Sequence, residues 1–94
     1  MIDQTVRQKV VISNPQGFHL RPVRDFAVLA MDFESDVAVI KGDRRVNGRS
    51  VLELMSLGAV IGTELIIEVS GNDANEALPA LVGVISRTYA DEVD

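Results

Sequence analysis

A single histidine, His19, sits in the run Asn14-Pro15-Gln16-Gly17-Phe18-His19-Leu20-Arg21-Pro22, and the chain has no other. An imidazole can act as nucleophile, proton shuttle or metal ligand, although a lone histidine is most often a surface or a satisfied core residue. Three neighbours draw this one toward chemistry. Gly17 permits backbone geometry that other residues resist, and close approach to a ligand. Pro22 suits the first turn of a helix, where a missing N–H costs nothing. His19 therefore lies at, or just before, a helix start, whose N–H groups and positive dipole end favour an anion. Arg21 adds an always-protonated, fork-shaped donor. Together these groups suit a phosphate better than a metal.

The elements around this turn follow from periodicity. Residues 5–13 alternate, with Val6, Gln8, Val10 and Ile12 on one side and Arg7, Lys9, Val11 and Ser13 on the other. That pattern predicts a half-buried strand ending at Asn14-Pro15. From residue 20 to 31, Val23, Phe26, Ala27, Ala30 and Met31 form an apolar stripe at helical spacing. Asp36 to Lys41 predicts a second strand, and Arg44-Arg45-Val46 its hairpin partner across Gly42-Asp43. Ser50 and Glu53 have the spacing of a capping box, which opens a short helix from about Val51 to Leu57 that stops at Gly58. Thr63 to Ser70 alternates again, with Leu65, Ile67 and Val69 inward. Gly71-Asn72-Asp73 opens a last helix with Ala74, Ala77, Leu78, Leu81, Val82 and Ile85 on one face. Pro79 conflicts with that helix unless it lies early or the helix bends. The expectation is an α+β fold: a four-stranded, largely antiparallel sheet, three helices on one face (βαββαβα), and a polar strand face in water.

Composition narrows the function. The 94 residues suit one domain, residues 1–94. Cysteine is absent, so disulfides, thiol catalysis and the common zinc frameworks are excluded. No metal and no cofactor is expected. No apolar run approaches the roughly 20 residues of a membrane span, and the first residues lack a signal pattern. A soluble, cytoplasmic monomer is expected. A net charge of −5 and four aromatics argue against nucleic acid. Yet Arg21, Arg24, Arg44, Arg45 and Arg49 cluster in the first half, opposite an acidic end, Asp91-Glu92-Val93-Asp94. Such a basic patch suggests an anionic ligand or an acidic partner.

Gly17-Phe18-His19-Leu20-Arg21-Pro22 resembles the G-x-H-x-R-P signature of HPr, the histidine-containing phosphocarrier of the bacterial phosphotransferase system. Asn47 to Gly58, with Ser50 followed by Val51-Leu52-Glu53-Leu54-Met55 and Ser56-Leu57-Gly58, resembles that family's second signature. The spacing between the blocks fits, and the likeness runs from about Val6 to Tyr89. It implies the HPr-like open-faced sandwich and a carrier that is not a turnover enzyme by itself. His19 would accept a phosphoryl group at Nδ1 from phospho-enzyme I, with phosphoenolpyruvate as the source, and pass it to an enzyme IIA. Arg21 and the loop, Gly17 and Leu20 included, would steady the group. Ser50 matches the position that an HPr kinase/phosphorylase modifies, and it also reads simply as a helix cap worth about 1 kcal/mol.

The docking surface implied is apolar with a basic fringe: Leu20 and Arg24 on the first helix, Val51, Leu52 and Met55 on the short one, and Arg49. The plainer reading of the apolar ones is core packing, which stays open for Leu52 and Leu54. Arg24 departs from the small residue usual in the family, and Glu53 from lysine or glycine. The two are expected to face each other and partly cancel. A regulatory relative acting as an interaction module, with no part in sugar uptake, is the alternative.

Overall fold

The computed structural model describes residues 4–87. Tyr89 and the acidic end lie outside them. The elements run β1 (Gln4–Val11), α1 (Leu20–Ala30), β2 (Asp36–Lys41), β3 (Arg44–Asn47), α2 (Val51–Met55), β4 (Glu64–Gly71) and α3 (Ala74–Ser86). All strand pairings are antiparallel, in the order β1-β4-β2-β3. The expected α+β order is thus the one found. The last strand in sequence lies between β1 and β2, with Val69 opposite Val6 on one side and Val37 on the other. This register turns Leu65, Ile67 and Val69 inward, fully buried against helix residues Val23, Phe26, Ala27 and Leu81.

The polar face of the sheet differs from expectation. Glu68 should point into water, but its side chain is only 8% exposed. Arg7, directly opposite on β1, donates Nε to Glu68 Oε2 at 2.6 Å. Arg45 on β3 reaches across β2 and donates to Glu68 Oε1. The β2 residue opposite Glu68 is Ala38, and its methyl group leaves room for that reach. Three strands are thereby tied by one carboxylate. Its pKa is held below the ordinary range, first by the Arg45 hydrogen bond and then by Arg7, against the opposing effect of burial.

Two further ties shape the helix ends. Asp73 precedes α3, yet its carboxylate does not cap that helix. It accepts instead from Glu34 N at 2.9 Å, Ser35 N at 3.0 Å and Ser35 Oγ at 2.5 Å, fixing the loop after α1. Ser35 lowers the Asp73 pKa most, followed by the Glu34 amide. The Ser50–Glu53 capping box is half made. Ser50 Oγ accepts from Glu53 N at 3.2 Å, but the Glu53 carboxylate turns to Asn47 N at 2.9 Å. Pro79 is inside α3, beyond its first turn, so the early placement is ruled out. Met31 is exposed and ends the buried stripe at Ala30. The short helix ends at Met55, before the expected Leu57, and Gly58, at φ +59°, closes the turn that follows it.

The Glu68 network gives a pH signature. A folded carboxyl with a depressed pKa adds stability that is complete above the unfolded value and fades as pH falls through the folded one. Glu68→Gln keeps the shape and removes the charge. Urea unfolding should show the wild type more stable at neutral pH, with its advantage shrinking below about pH 4. An advantage that does not change with pH would deny the network this part.

Candidate functional site

The site is built from the residue before the histidine. Phe18 is buried, and its ring meets Phe26 of α1 edge-on, with centroids 5.9 Å apart and planes at 86°. Its N–H donates to Ala59 O at 2.9 Å, across to the segment between α2 and β4. Gly17 precedes it at φ +75°, and a Cβ there would stand 2.6 Å from Ala59 O and 3.1 Å from Val60 Cα. Glycine is therefore required by the packing of two backbone segments. This packing need stands beside the expected part of Gly17 in the phosphate loop.

With Phe18 fixed, the chain turns into α1. His19 is the N-cap, with extended backbone at φ −90° and ψ −173°. Its carbonyl accepts from Val23 N at 3.0 Å, and its side chain makes no cap bond. The amides of Leu20 and Arg21 have no intrahelical acceptor by helix geometry, and Pro22 has no amide to offer. The result is a half-exposed imidazole beside the positive end of an 11-residue helix, with the exposed Arg21 next along the turn.

The ring also has a neighbour that the motif did not single out. Asn14 is buried, and its Nδ2 lies 3.4 Å from His19 Nε2. Its Oδ1 accepts from Gln16 N at 3.3 Å, and its carbonyl from Gly17 N at 2.8 Å. In sequence, Asn14-Pro15 signals only a strand break. A side chain folded back onto the histidine becomes visible once the turn is closed.

Other expected residues divide in the same way. Leu52 is 84% exposed, Leu20 58% and Met55 40%, so an apolar surface does lie on α1 and α2. Leu54, its neighbour in sequence, is instead buried core. Val51 is half-buried and packs on the core, so it belongs to the surface only in part. Val60, against Gly17, and Ile61 after it are exposed, and no alternating or helical pattern in the sequence points to them. Arg49 is not a fringe residue. Its guanidinium donates to Ala30 O at 3.3 Å, Phe33 O at 2.6 Å and Ser35 O at 2.8 Å, closing the end of α1. Arg44 likewise donates to Ser56 O at 2.7 Å and Ser56 Oγ at 2.8 Å, behind α2. With Arg45 on Glu68, three of the five clustered arginines serve the fold. The expected Arg24–Glu53 pairing is also overturned. Arg24 is exposed and borders the groove between α1 and α3 with Val28 and Val84, while Glu53 is engaged by Asn47. Among the described residues no ion pair joins them.

Among the described residues no group of side chains could hold a metal ion, and no helix is long and apolar enough to cross a membrane. A reachable histidine at a helix start, on an open-faced sandwich of this topology, is the form of a histidine phosphocarrier. Comparison with known proteins places it more narrowly. The family model described as "PTS HPr component phosphorylation site" matches residues 6–87. The phosphocarrier protein HPr of Neisseria meningitidis is 38% identical over 86 residues, covering 92% of this chain and 97% of that protein. The HPr-like protein Crh of Bacillus subtilis is 38% identical over 82 residues, covering 87% and 96%. The crystal structure of HPr-C-His from Thermoanaerobacter tengcongensis superposes with a TM-score of 0.85 at 33% identity, covering 94% and 99%. The chain belongs to the HPr family, phosphocarriers of the phosphotransferase system.

The close packing at Gly17 sets a test of the site's footing. Gly17→Ala should lower stability by at least about 1 kcal/mol from the left-handed backbone alone, with more from the contact at Ala59. Chemical denaturation measures it. An unchanged unfolding midpoint would mean that the two backbone segments need no glycine between them.

Proposed function

We propose that His19 is the phosphoryl acceptor of this chain. The observation that carries the proposal is the half-exposed imidazole at the N-terminus of α1 beside Arg21. The Nδ1 lone pair attacks phosphorus on phospho-enzyme I, the bond from phosphorus to the donor breaks, and a phosphoramidate forms. An enzyme IIA domain then takes the group. Charge on the transferring phosphoryl oxygens is met by the Arg21 guanidinium and the first-turn amides, donors in place before the reaction. Such contacts remain weak at an exposed site, where ion pairs contribute about 0–1 kcal/mol. A carrier needs that weakness in order to release what it accepts.

Partners dock, in this proposal, on Leu20, Leu52 and Met55, with Val60 and Ile61 continuing the apolar surface past the loop. Arg21 and Arg24 supply the basic fringe, and the working form is a cytoplasmic, monomeric single domain. Ser50 is the regulatory position for a kinase of the HPr kinase/phosphorylase type. A phosphate on its Oγ would remain next to Glu53 N, where a helix start favours negative charge, so the helix survives. The added charge of about −1.5 to −2 acts on an acidic partner by repulsion. Likeness to Crh favours one second reading, a regulatory interaction module in which His19 is never phosphorylated.

Enzyme I and radiolabelled phosphoenolpyruvate separate the two. The carrier gains acid-labile, base-stable label that His19→Ala abolishes and Arg21→Ala reduces; absence of label would leave the interaction module. Ser50→Asp should accept phosphate from enzyme I about tenfold more slowly, the equivalent of about 1.4 kcal/mol of repulsion, with its circular dichroism unchanged. Acceptance at the wild-type rate would sink the regulatory role.

A further inference from the structure

We propose that Asn14 is a positioning residue that sets which ring nitrogen of His19 carries the proton, and so governs how long a phosphoryl group is held. The inference rests on the carrier role of His19 and adds a residue to it.

The amide of Asn14 has only one orientation that suits its surroundings. Its Oδ1 faces Gln16 N–H at 3.3 Å, and a flipped amide would set its NH₂ against that donor. The NH₂ is therefore the end that faces His19 Nε2 at 3.4 Å. Asn14 is buried, and the bond from Gly17 N to its carbonyl closes the turn around it. A donor held against Nε2 requires a lone pair there. The neutral ring then carries its proton on Nδ1.

The consequence differs along the transfer. Attack uses the Nδ1 lone pair, so the ring must enter with its proton on Nε2, a state in which two N–H groups oppose each other. As the N–P bond forms and the donor's bond to phosphorus breaks, the ring becomes cationic. Loss of the Nε2 proton to water then leaves a neutral phosphorylated ring. Its Nε2 lone pair accepts from Asn14 again. Cleavage of the N–P bond returns the electron pair to Nδ1 and is easiest when Nε2 is protonated, because the leaving group is then a neutral imidazole. By disfavouring the Nε2–H state, Asn14 slows acceptance and prolongs the phosphorylated state.

Asn14→Asp isolates this effect. The new carboxylate keeps an acceptor for Gln16 N but offers Nε2 an acceptor in place of a donor. ¹⁵N NMR of the unphosphorylated protein near pH 8, where an ordinary imidazole is neutral, reads the tautomer without any phosphoryl donor. The wild type should show a pyridine-like Nε2 and a pyrrole-like Nδ1, and Asn14→Asp the reverse. For chains then phosphorylated by enzyme I, Asn14→Asp should shorten the phosphohistidine lifetime and raise the acceptance rate, each by roughly two- to tenfold, the range a hydrogen bond of this kind commands. Asn14→Ala should fall between. A pyrrole-like Nε2 in the wild type, or an unchanged lifetime in Asn14→Asp, would overturn the proposal. Failure of enzyme I to label the wild type would instead remove the carrier role and leave the tautomer result standing.

Discussion

His19 can cap a helix and still be reachable only because Phe18, the residue before it, is buried. The Phe18 ring against Phe26 and the Phe18 amide on Ala59 fix the chain at the point where it leaves the sheet region and enters α1. Phe18 ties the loop to the helix that follows and to a segment some 40 residues later in sequence. Neither contact involves the imidazole. A packed aromatic pair of this kind adds about 0.5–1.5 kcal/mol beyond simple burial, and that energy goes into holding backbone direction. The turn is held by Phe18 and the backbone, and Nδ1 of the imidazole is left to the chemistry proposed for it.

The rest of the structure protects that arrangement from behind. Arg49 and Asp73 both act at the far end of α1, one donating to the Ala30 carbonyl and to the Phe33 and Ser35 carbonyls of the following loop, the other accepting from amides of that loop. Charged partners make hydrogen bonds of this sort stronger than neutral ones. Lys41 and Arg44 do the same behind the short α2, donating to Leu57 O at 2.8 Å and to Ser56. Five residues are too few for a helix to stand alone. The basic side chains behind it help keep Leu52 and Met55 presented to solvent. Fold and docking surface thus share an economy: cations close carbonyl ends at the back, while the apolar residues at the front stay bare.

Much of the fold was legible because period and punctuation agree. The alternation of Leu65, Ile67 and Val69 could only be a half-buried strand, and the register places all of them inward. Pro22, Gly58 and the serine at position 50 mark helix ends by rules that act within a few residues. The candidate site was legible for a similar reason. His19, Leu20, Arg21 and Pro22 adjoin one another, so a motif can carry them. What stayed hidden was the destination of long polar side chains. Arg45 and Arg49 look alike in sequence, yet one reaches Glu68 and the other Ala30 at the end of α1 and the loop beyond it. Arg24 and Glu53 looked like partners on charge alone and are not. A guanidinium has five donors on a flexible stem, and its acceptor is whichever one folding brings close.

By itself, then, the sequence determined the order of elements, the inward set of apolar residues and the position of the histidine at a helix start, because each depends on local backbone preference or on a repeat of two or 3.6 residues. Only the tertiary structure decided that Gly17 is needed for packing, that Glu68 is shielded by two arginines, and that the Asn14 amide faces the ring of His19. Those depend on distances between segments that no local pattern encodes. They arise when a closed turn and a paired sheet bring side chains into hydrogen-bonding range, a few ångströms apart.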